Sequence, residues 1–173
     1  MLDAGCGSLV FTAGIYAGED RPLVLVDQSL GMLEAARDRL RTVRGVLPDN
    51  TVFVQADVLD LPFAAGCFSS VLSMGMLHLF HDVEGVVSAL GRSVEPGGSL
   101  FLSSLVSETQ IGGRYLSLLH RAGEVAPPRT EQQLLAAVRR GIPAPFREFE
   151  SRVEGSMAFV VVGGAARGQV VGG

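Results

Sequence analysis

The chain opens on Met1-Leu2-Asp3-Ala4-Gly5-Cys6-Gly7-Ser8, a strand end that runs straight into a tight glycine turn. About twenty residues further on, an apolar strand, Leu23-Val24-Leu25-Val26, ends in Asp27. No other feature constrains the chain as much, because this order specifies a nucleoside site. A turn built on Gly5 and Gly7 lets backbone N–H groups come close to a ligand. An acid at the tip of the next strand can accept hydrogen bonds from two ribose hydroxyls.

The rest of the chain continues the alternation of strand and helix, which predicts a mostly parallel sheet covered on both faces. Ser29 is placed to cap a helix in which Leu30, Leu33, Ala36, Leu40 and Val43 recur at helical spacing, with Arg37, Asp38, Arg41 and Arg44 facing largely outward. Thr51 to Ala56 and Phe68 to Ser73 read as the third and fourth strands, being short, apolar and rich in β-branched or aromatic residues. Asp82 caps the next predicted helix. Pro96-Gly97-Gly98 reads as its stop signal and hands the chain to a fifth strand, Leu100-Phe101-Leu102. Between Val106 and Ala126 the pattern blurs into short helical turns, and Arg129-Thr130-Glu131 opens a helix running to Arg140. Phe146 to Val153 alternates apolar and polar residues, and Gly155-Ser156 turns it into Met157 to Val162, a terminal hairpin. Residues 163–173 read as a flexible tail, leaving 1–162 as a single domain.

At 173 residues the chain is one domain, able to bury about two-thirds of the surface its unfolded form exposes. Its longest apolar runs fall short of the roughly eighteen residues a membrane span requires, so no span is expected. A net charge of −4 leaves no broad electrostatic footprint for nucleic acid. All 14 basic side chains are arginine, a bias without a structural account. Cys6 and Cys67 lack metal-ligand spacing and read as buried thiols in a reducing cytoplasm, and no metal site is expected. The chain opens directly on a strand, with neither a secretory nor a transit pattern.

The glycine turn alone is shared by dinucleotide-binding oxidoreductases and by proteins that bind nucleoside methyl donors. The dinucleotide fingerprint places a third glycine three residues after the second, where this chain has Val10. Later segments carry the distinction further: Gln28-Ser29-Leu30-Gly31-Met32 after the first acid, Ala56-Asp57-Val58-Leu59-Asp60-Leu61-Pro62-Phe63 with a second acid, Phe68 to Ser73, and Leu90 to Gly98. In this order and spacing they resemble the class I S-adenosylmethionine-dependent methyltransferases, particularly the small-molecule branch that includes the ubiquinone and menaquinone biosynthesis enzymes. The resemblance implies an α/β, Rossmann-like doubly wound, mostly parallel sheet with a C-terminal antiparallel hairpin, S-adenosyl-L-methionine as cofactor, and a small-molecule methyl acceptor.

It also implies roles. Asp3 and Gly5 would hold the donor's methionine moiety, and Gly7 would let the backbone pass close to it. Asp27 would accept from the ribose diol, with Gln28 beside it. Asp57 would accept from the adenine amine while the Val58 N–H reaches a ring nitrogen, and Met32 would touch the adenine face. His78, just beyond the fourth strand where a parallel sheet presents its ligand crevice, is the candidate catalytic residue. Two positions depart from the family pattern. Leu9 replaces the third glycine of the turn, so its side chain either approaches the donor or forces a different backbone conformation, and Ser69 stands where an aspartate is common. Family members also carry helices before the first strand, so an amino-terminal cap is expected to be missing here. The competing expectations are a catalytically silent, donor-binding or partner-dependent chain, and a nicotinamide-dependent oxidoreductase. The acceptor's identity and the oligomeric state are not written in these motifs.

Overall fold

The computed structural model of the protein describes residues 1–144, 146 and 148–163. Five strands run parallel: β1 (Leu2–Ala4), β2 (Leu23–Asp27), β3 (Thr51–Gln55), β4 (Phe68–Ser73) and β5 (Val94–Leu105). β6 (Glu148–Glu154) and β7 (Met157–Gly163) form an antiparallel hairpin, with β7 laid along β5. The seven-stranded order is β3-β2-β1-β4-β5-β7-β6, the doubly wound sheet with a terminal hairpin that the sequence predicts. Its direction of winding reverses between β1 and β4, and the crevice at the strand C-termini there is where such sheets take ligands.

Alternation along the strands sends residues to two cores. Leu2, Ala4 and Val26 join Val71, Leu100 and Leu102 under helices α3 (Val83–Ser93) and α5 (Glu131–Gly141). Leu23 and Leu25 face the other way, beneath α1 (Ala13–Tyr16) and α2 (Leu30–Arg44). β1 has only three residues, yet all are buried and it pairs on both edges, so this short strand is the hinge of the whole site.

The caps lie where the sequence places them. The Ser29 hydroxyl accepts from Met32 N at 3.3 Å and the Asp82 carboxylate from Gly85 N at 2.8 Å. Thr130 and Gln133 exchange side-chain bonds in a capping box at the start of α5. The buried stripe of α2 is narrower than the apolar spacing suggests: Leu33, Ala36 and Leu40 are inside, whereas Leu30 and Val43 lie on the solvent side.

Three expectations need correction. Pro96-Gly97-Gly98 does not separate α3 from a strand; it lies inside β5, whose pairing jumps from Phe68↔Val94 to Ser70↔Ser99. The intervening residues loop out as an irregular bulge, the one place where a proline without an N–H and a glycine at φ 84 cost the ladder nothing. The blurred stretch after Val106 contains a regular helix, α4 (Gln110–Arg121), capped by Thr109 and burying only Leu116. Cys67 is exposed and Cys6 half-buried, and both are free thiols. Of the expected tail, Gly163 ends β7 and residues 164–173 lie outside the described residues. No helix among the described residues is long and apolar enough to cross a membrane.

Candidate active site

The glycine turn after β1 is fastened to β2. Gly5 N and Cys6 N both donate to Val26 O, at 2.8 and 2.9 Å. Gly7 N donates to Asp27 Oδ2 at 2.9 Å, and Ser29 N to Asp27 Oδ1 at 2.9 Å. One carboxylate thus ties the turn, the β2 tip and the start of α2 together, and each of its oxygens still has a lone pair to offer a ligand. The two glycines serve different ends. At φ 75, Gly5 packs so closely on Met76 that a β-carbon would collide with the sulfur, whereas a β-carbon on Gly7, at φ 56, would meet nothing within 4 Å. Gly5 lets the protein close on itself; Gly7 leaves room beside the backbone for something else.

Leu9 resolves its own departure from pattern. It is the one non-glycine residue at positive φ among the described residues, at 56°, so the backbone keeps the conformation a glycine would adopt. Its side chain turns inward, 2% exposed, against Ala13, Tyr16, Leu23, Leu25, Ala36 and Leu40. A left-handed leucine costs about 1–2 kcal/mol, and burying it returns about 1.5–3 kcal/mol, so the turn survives the substitution.

Asp3, at the centre of the sheet, is 2% exposed. Tyr16 donates its hydroxyl to Asp3 Oδ2 at 2.8 Å, and Asp3 Oδ1, also buried, has no hydrogen-bond partner. Burial pushes the Asp3 carboxyl up to about 6; the Tyr16 hydrogen bond opposes this and the negative charge of Asp27 adds to it. Burial and the neighbouring Asp3 push the Tyr16 phenol up, so it stays a neutral donor.

Asp3 and Gly5 line a cleft of about 540 Å³ with Cys6, His78, Ser103 and Phe159. Val10, Phe11, Leu105, Met74 and Met157 add an apolar bank. Ser103 Oγ accepts from Gly75 N at 2.7 Å, which fixes the loop after β4 against β5. His78 sits in the single 3-10 turn that follows, Leu77–Leu79, and its Nδ1 accepts weakly from Leu105 N at 3.5 Å. Burial lowers the His78 pKa from its ordinary value, which favours the neutral ring.

The other sequence-predicted residues lie to one side of this cleft, around the β2 and β3 tips. Asp27 borders the turn through Gly7. Asp57 is exposed and its carboxylate accepts from Leu59 N at 2.9 Å, closing a local turn. Val58 buries its side chain in the main core. Gln28 is exposed, its carbonyl held by Gln55 Nε2 at 3.0 Å, and Met32 stands 46% exposed in the first turn of α2. A larger depression of about 730 Å³ runs along α4 past Ser107, Arg114 and Arg121, but it holds none of these residues. Sequence reasoning missed Tyr16 and Ser103. Neither has a local signature, since each acquires its partner only through the fold. Among the described residues no group of three or more His, Cys, Asp or Glu side chains could hold a metal.

Residues 2–102 match the family described as "Methyltransferase domain". The chain is 35% identical over 104 residues to the ubiquinone/menaquinone biosynthesis C-methyltransferase UbiE of Haemophilus ducreyi, covering 59% of this chain and 39% of that protein. The chain spans less than two-fifths of the length of these curated relatives, down to 24% for an uncharacterized Synechococcus protein. Among solved structures, a Thermotoga maritima S-adenosylmethionine-dependent methyltransferase, described as a possible histamine N-methyltransferase, superposes with a TM-score of 0.70 at 18% identity, covering 94% of this chain and 80% of that one. The [4+2]-cyclase SpnF superposes with a TM-score of 0.72 at 15% identity, covering 94% and 74%. At such identities the likeness is one of fold, and the fold carries more than one chemistry.

Proposed function

Because this chain belongs to the methyltransferase-domain family of class I S-adenosylmethionine-dependent proteins, we propose that it binds S-adenosylmethionine across the tips of β1, β2 and β3 and transfers its methyl group to a small molecule held in the cleft beside His78. The observation that carries this reading is the join between the glycine turn and Asp27. Gly7 N–H and the carboxylate meet at 2.9 Å, next to backbone left open by the missing β-carbon.

Asp27 accepts from the ribose hydroxyls, using the lone pairs that Gly7 and Ser29 leave free. Charge-assisted bonds of this kind contribute roughly 1.5–3 kcal/mol each. Asp57 and the Val58 N–H receive the adenine edge, Met32 borders its face, and Gln28 flanks the ribose. Asp3 faces the amino-acid end of the donor, where its unpartnered Oδ1 supplies a buried acceptor for an ammonium group. Bound donor would supply a methyl group already activated by a positively charged sulfur.

The protein's task is then alignment, since holding two reactants in line can supply about 7–11 kcal/mol of the barrier. Phe11, Leu105, Met157 and Phe159 give the acceptor an apolar bed. With Nδ1 turned to the Leu105 N–H, the neutral His78 ring carries its proton on Nε2, so it orients an acceptor by donation. Acting as a base would require His78 to give up that weak bond and change tautomer. The two free thiols suit a cytoplasmic setting.

Equilibrium titration of the protein with S-adenosylmethionine, S-adenosylhomocysteine and NAD tests the donor assignment. Selective binding of the two sulfur nucleosides is expected, and NAD binding of equal strength would contradict it. Transfer of a labelled methyl group to a panel of small hydroxylated and amino acceptors then reads the activity itself.

A further inference from the structure

Tyr16 has no part in the scheme above, yet its hydroxyl reaches across 13 residues of sequence to the most deeply buried carboxylate of the site. α1 is only four residues long and buries just Ala13 and Tyr16. A phenylalanine would fill the same apolar space, so packing alone does not call for the oxygen. What the hydroxyl does is occupy Asp3 Oδ2 at 2.8 Å, leaving Oδ1 buried and unpartnered on a residue that lines the cleft. A buried carboxylate oxygen without a partner costs free energy in the unliganded protein and is poised for a ligand that brings a donor.

We propose that Tyr16 is a positioning residue for the methyl donor: its hydroxyl engages Asp3 Oδ2 and fixes the carboxylate's rotamer, so that Oδ1 receives the ammonium group of the donor's amino-acid end. This inference rests on the donor-site reading above and extends it to a residue outside the glycine turn.

The groups facing Asp3 agree on one consequence. Tyr16 from α1 and Cys6 from the turn are both pushed up by burial and stay neutral. Asp27 from the β2 tip is a carboxylate whose charge raises the Asp3 pKa, and His78, which lines the same cleft from the turn after β4, is lowered by burial. No cation faces Asp3 from any of these elements, so a ligand ammonium would be its first positive partner. With Asp3 titrating at about 6, binding of an ammonium-bearing ligand should strengthen as pH rises through that value, because only the ionised form attracts it.

The test compares S-adenosylhomocysteine with 5′-methylthioadenosine, which keeps the adenosine and the sulfur but lacks the amino acid, by calorimetry from pH 5 to pH 7. For the wild type, S-adenosylhomocysteine should tighten by about tenfold over this range while methylthioadenosine stays flat. Tyr16→Phe should weaken S-adenosylhomocysteine by about tenfold at pH 7 and displace its pH profile upward, with methylthioadenosine unchanged. Should Tyr16→Phe fold poorly, Asp3→Asn gives the second measurement. It keeps a partner for the tyrosine and should abolish the pH dependence, assigning it to Asp3 rather than to His78. Equal weakening of both nucleosides in Tyr16→Phe, or a flat wild-type profile for S-adenosylhomocysteine, would overturn the role given to Tyr16 while leaving the donor site intact. Failure of the wild type to bind either nucleoside would overturn the donor site itself.

Discussion

Two neighbouring strands each carry an aspartate in opposite surroundings, Asp3 within β1 and Asp27 at the tip of β2. Asp3 is buried beside α1 and lines the cleft, with one oxygen on Tyr16 and the other without a partner. Asp27 is half-buried, with each oxygen accepting a backbone N–H. The first is expensive to ionise and gains most from a cationic ligand; the second is already satisfied and gives a neutral hydroxyl a well-placed acceptor. Adjacent carboxylates in one site can therefore recognise different parts of a single ligand, because burial and not residue type decides what each can bind.

The largest expected effect lies on the Asp3 side. In the folded chain Asp3 keeps its proton up to about pH 6, whereas its ordinary value is 3.8, so the folded state binds more protons across that window. Stability contributed at this residue is therefore present at low pH and lost as pH rises through 6, by on the order of 3 kcal/mol for a shift of this size. Because burial of His78 contributes a slope of opposite sign, denaturant melts of the unliganded protein between pH 4 and pH 7 should show this loss as the difference between the wild type and Asp3→Asn. A difference of opposite sign, with the wild type gaining stability relative to Asp3→Asn as pH rises, would show that Asp3 is not the desolvated member of the pair.

Leu9→Gly probes the packing beneath α1 and α2 that also holds Tyr16. Relief of the left-handed strain offsets part of the lost burial, so a net destabilisation of about 1–3 kcal/mol is expected in the same melts. On the Asp27 side, Asp27→Ala should weaken S-adenosylhomocysteine by about tenfold or more, as loss of a charged acceptor implies. In a methyl-transfer assay the acid limb of any pH profile arising from His78 should fall below the ordinary histidine value of 6.5, because burial lowers it. The smallest effect belongs to Met32→Ala, about twofold or less on donor affinity, since the side chain is half in solvent.

The sequence was most legible where local chemistry and fold agree. Phe68 to Ser73 forms β4 with the predicted ends, and Ser29, Asp82 and Thr130 cap the helices they precede, because capping and short apolar runs are settled within a few residues. β5 looks shorter in the sequence than in the fold because Pro96-Gly97-Gly98 has the composition of a stop, and only the pairing with β4 reveals a bulge. α4 looks like broken turns in the sequence because Gly112 and Gly113 interrupt its apolar pattern, and its apolar residues Ile111, Tyr115 and Leu118 lie exposed rather than on a buried stripe. Gly112 is there for tertiary reasons, since a β-carbon would collide with the Ser156 hydroxyl. Within the site, Gly5, Gly7 and Asp27 carry their own spacing. Tyr16 and Ser103 do not, because a hydrogen bond spanning strands leaves no periodic trace.

The central claim is that Asp27 holds the ribose of an adenosyl ligand, and a cycle combining one mutation with one ligand change tests it directly. Affinities of S-adenosylhomocysteine and its 2′,3′-dideoxy analogue would be measured for the wild type and for Asp27→Ala. Removing the hydroxyls should weaken binding to the wild type by about tenfold or more and have little effect in the mutant, since the two changes delete one and the same interaction. Losses that simply add would mean the carboxylate and the diol never meet, and the site would have to be rebuilt without Asp27.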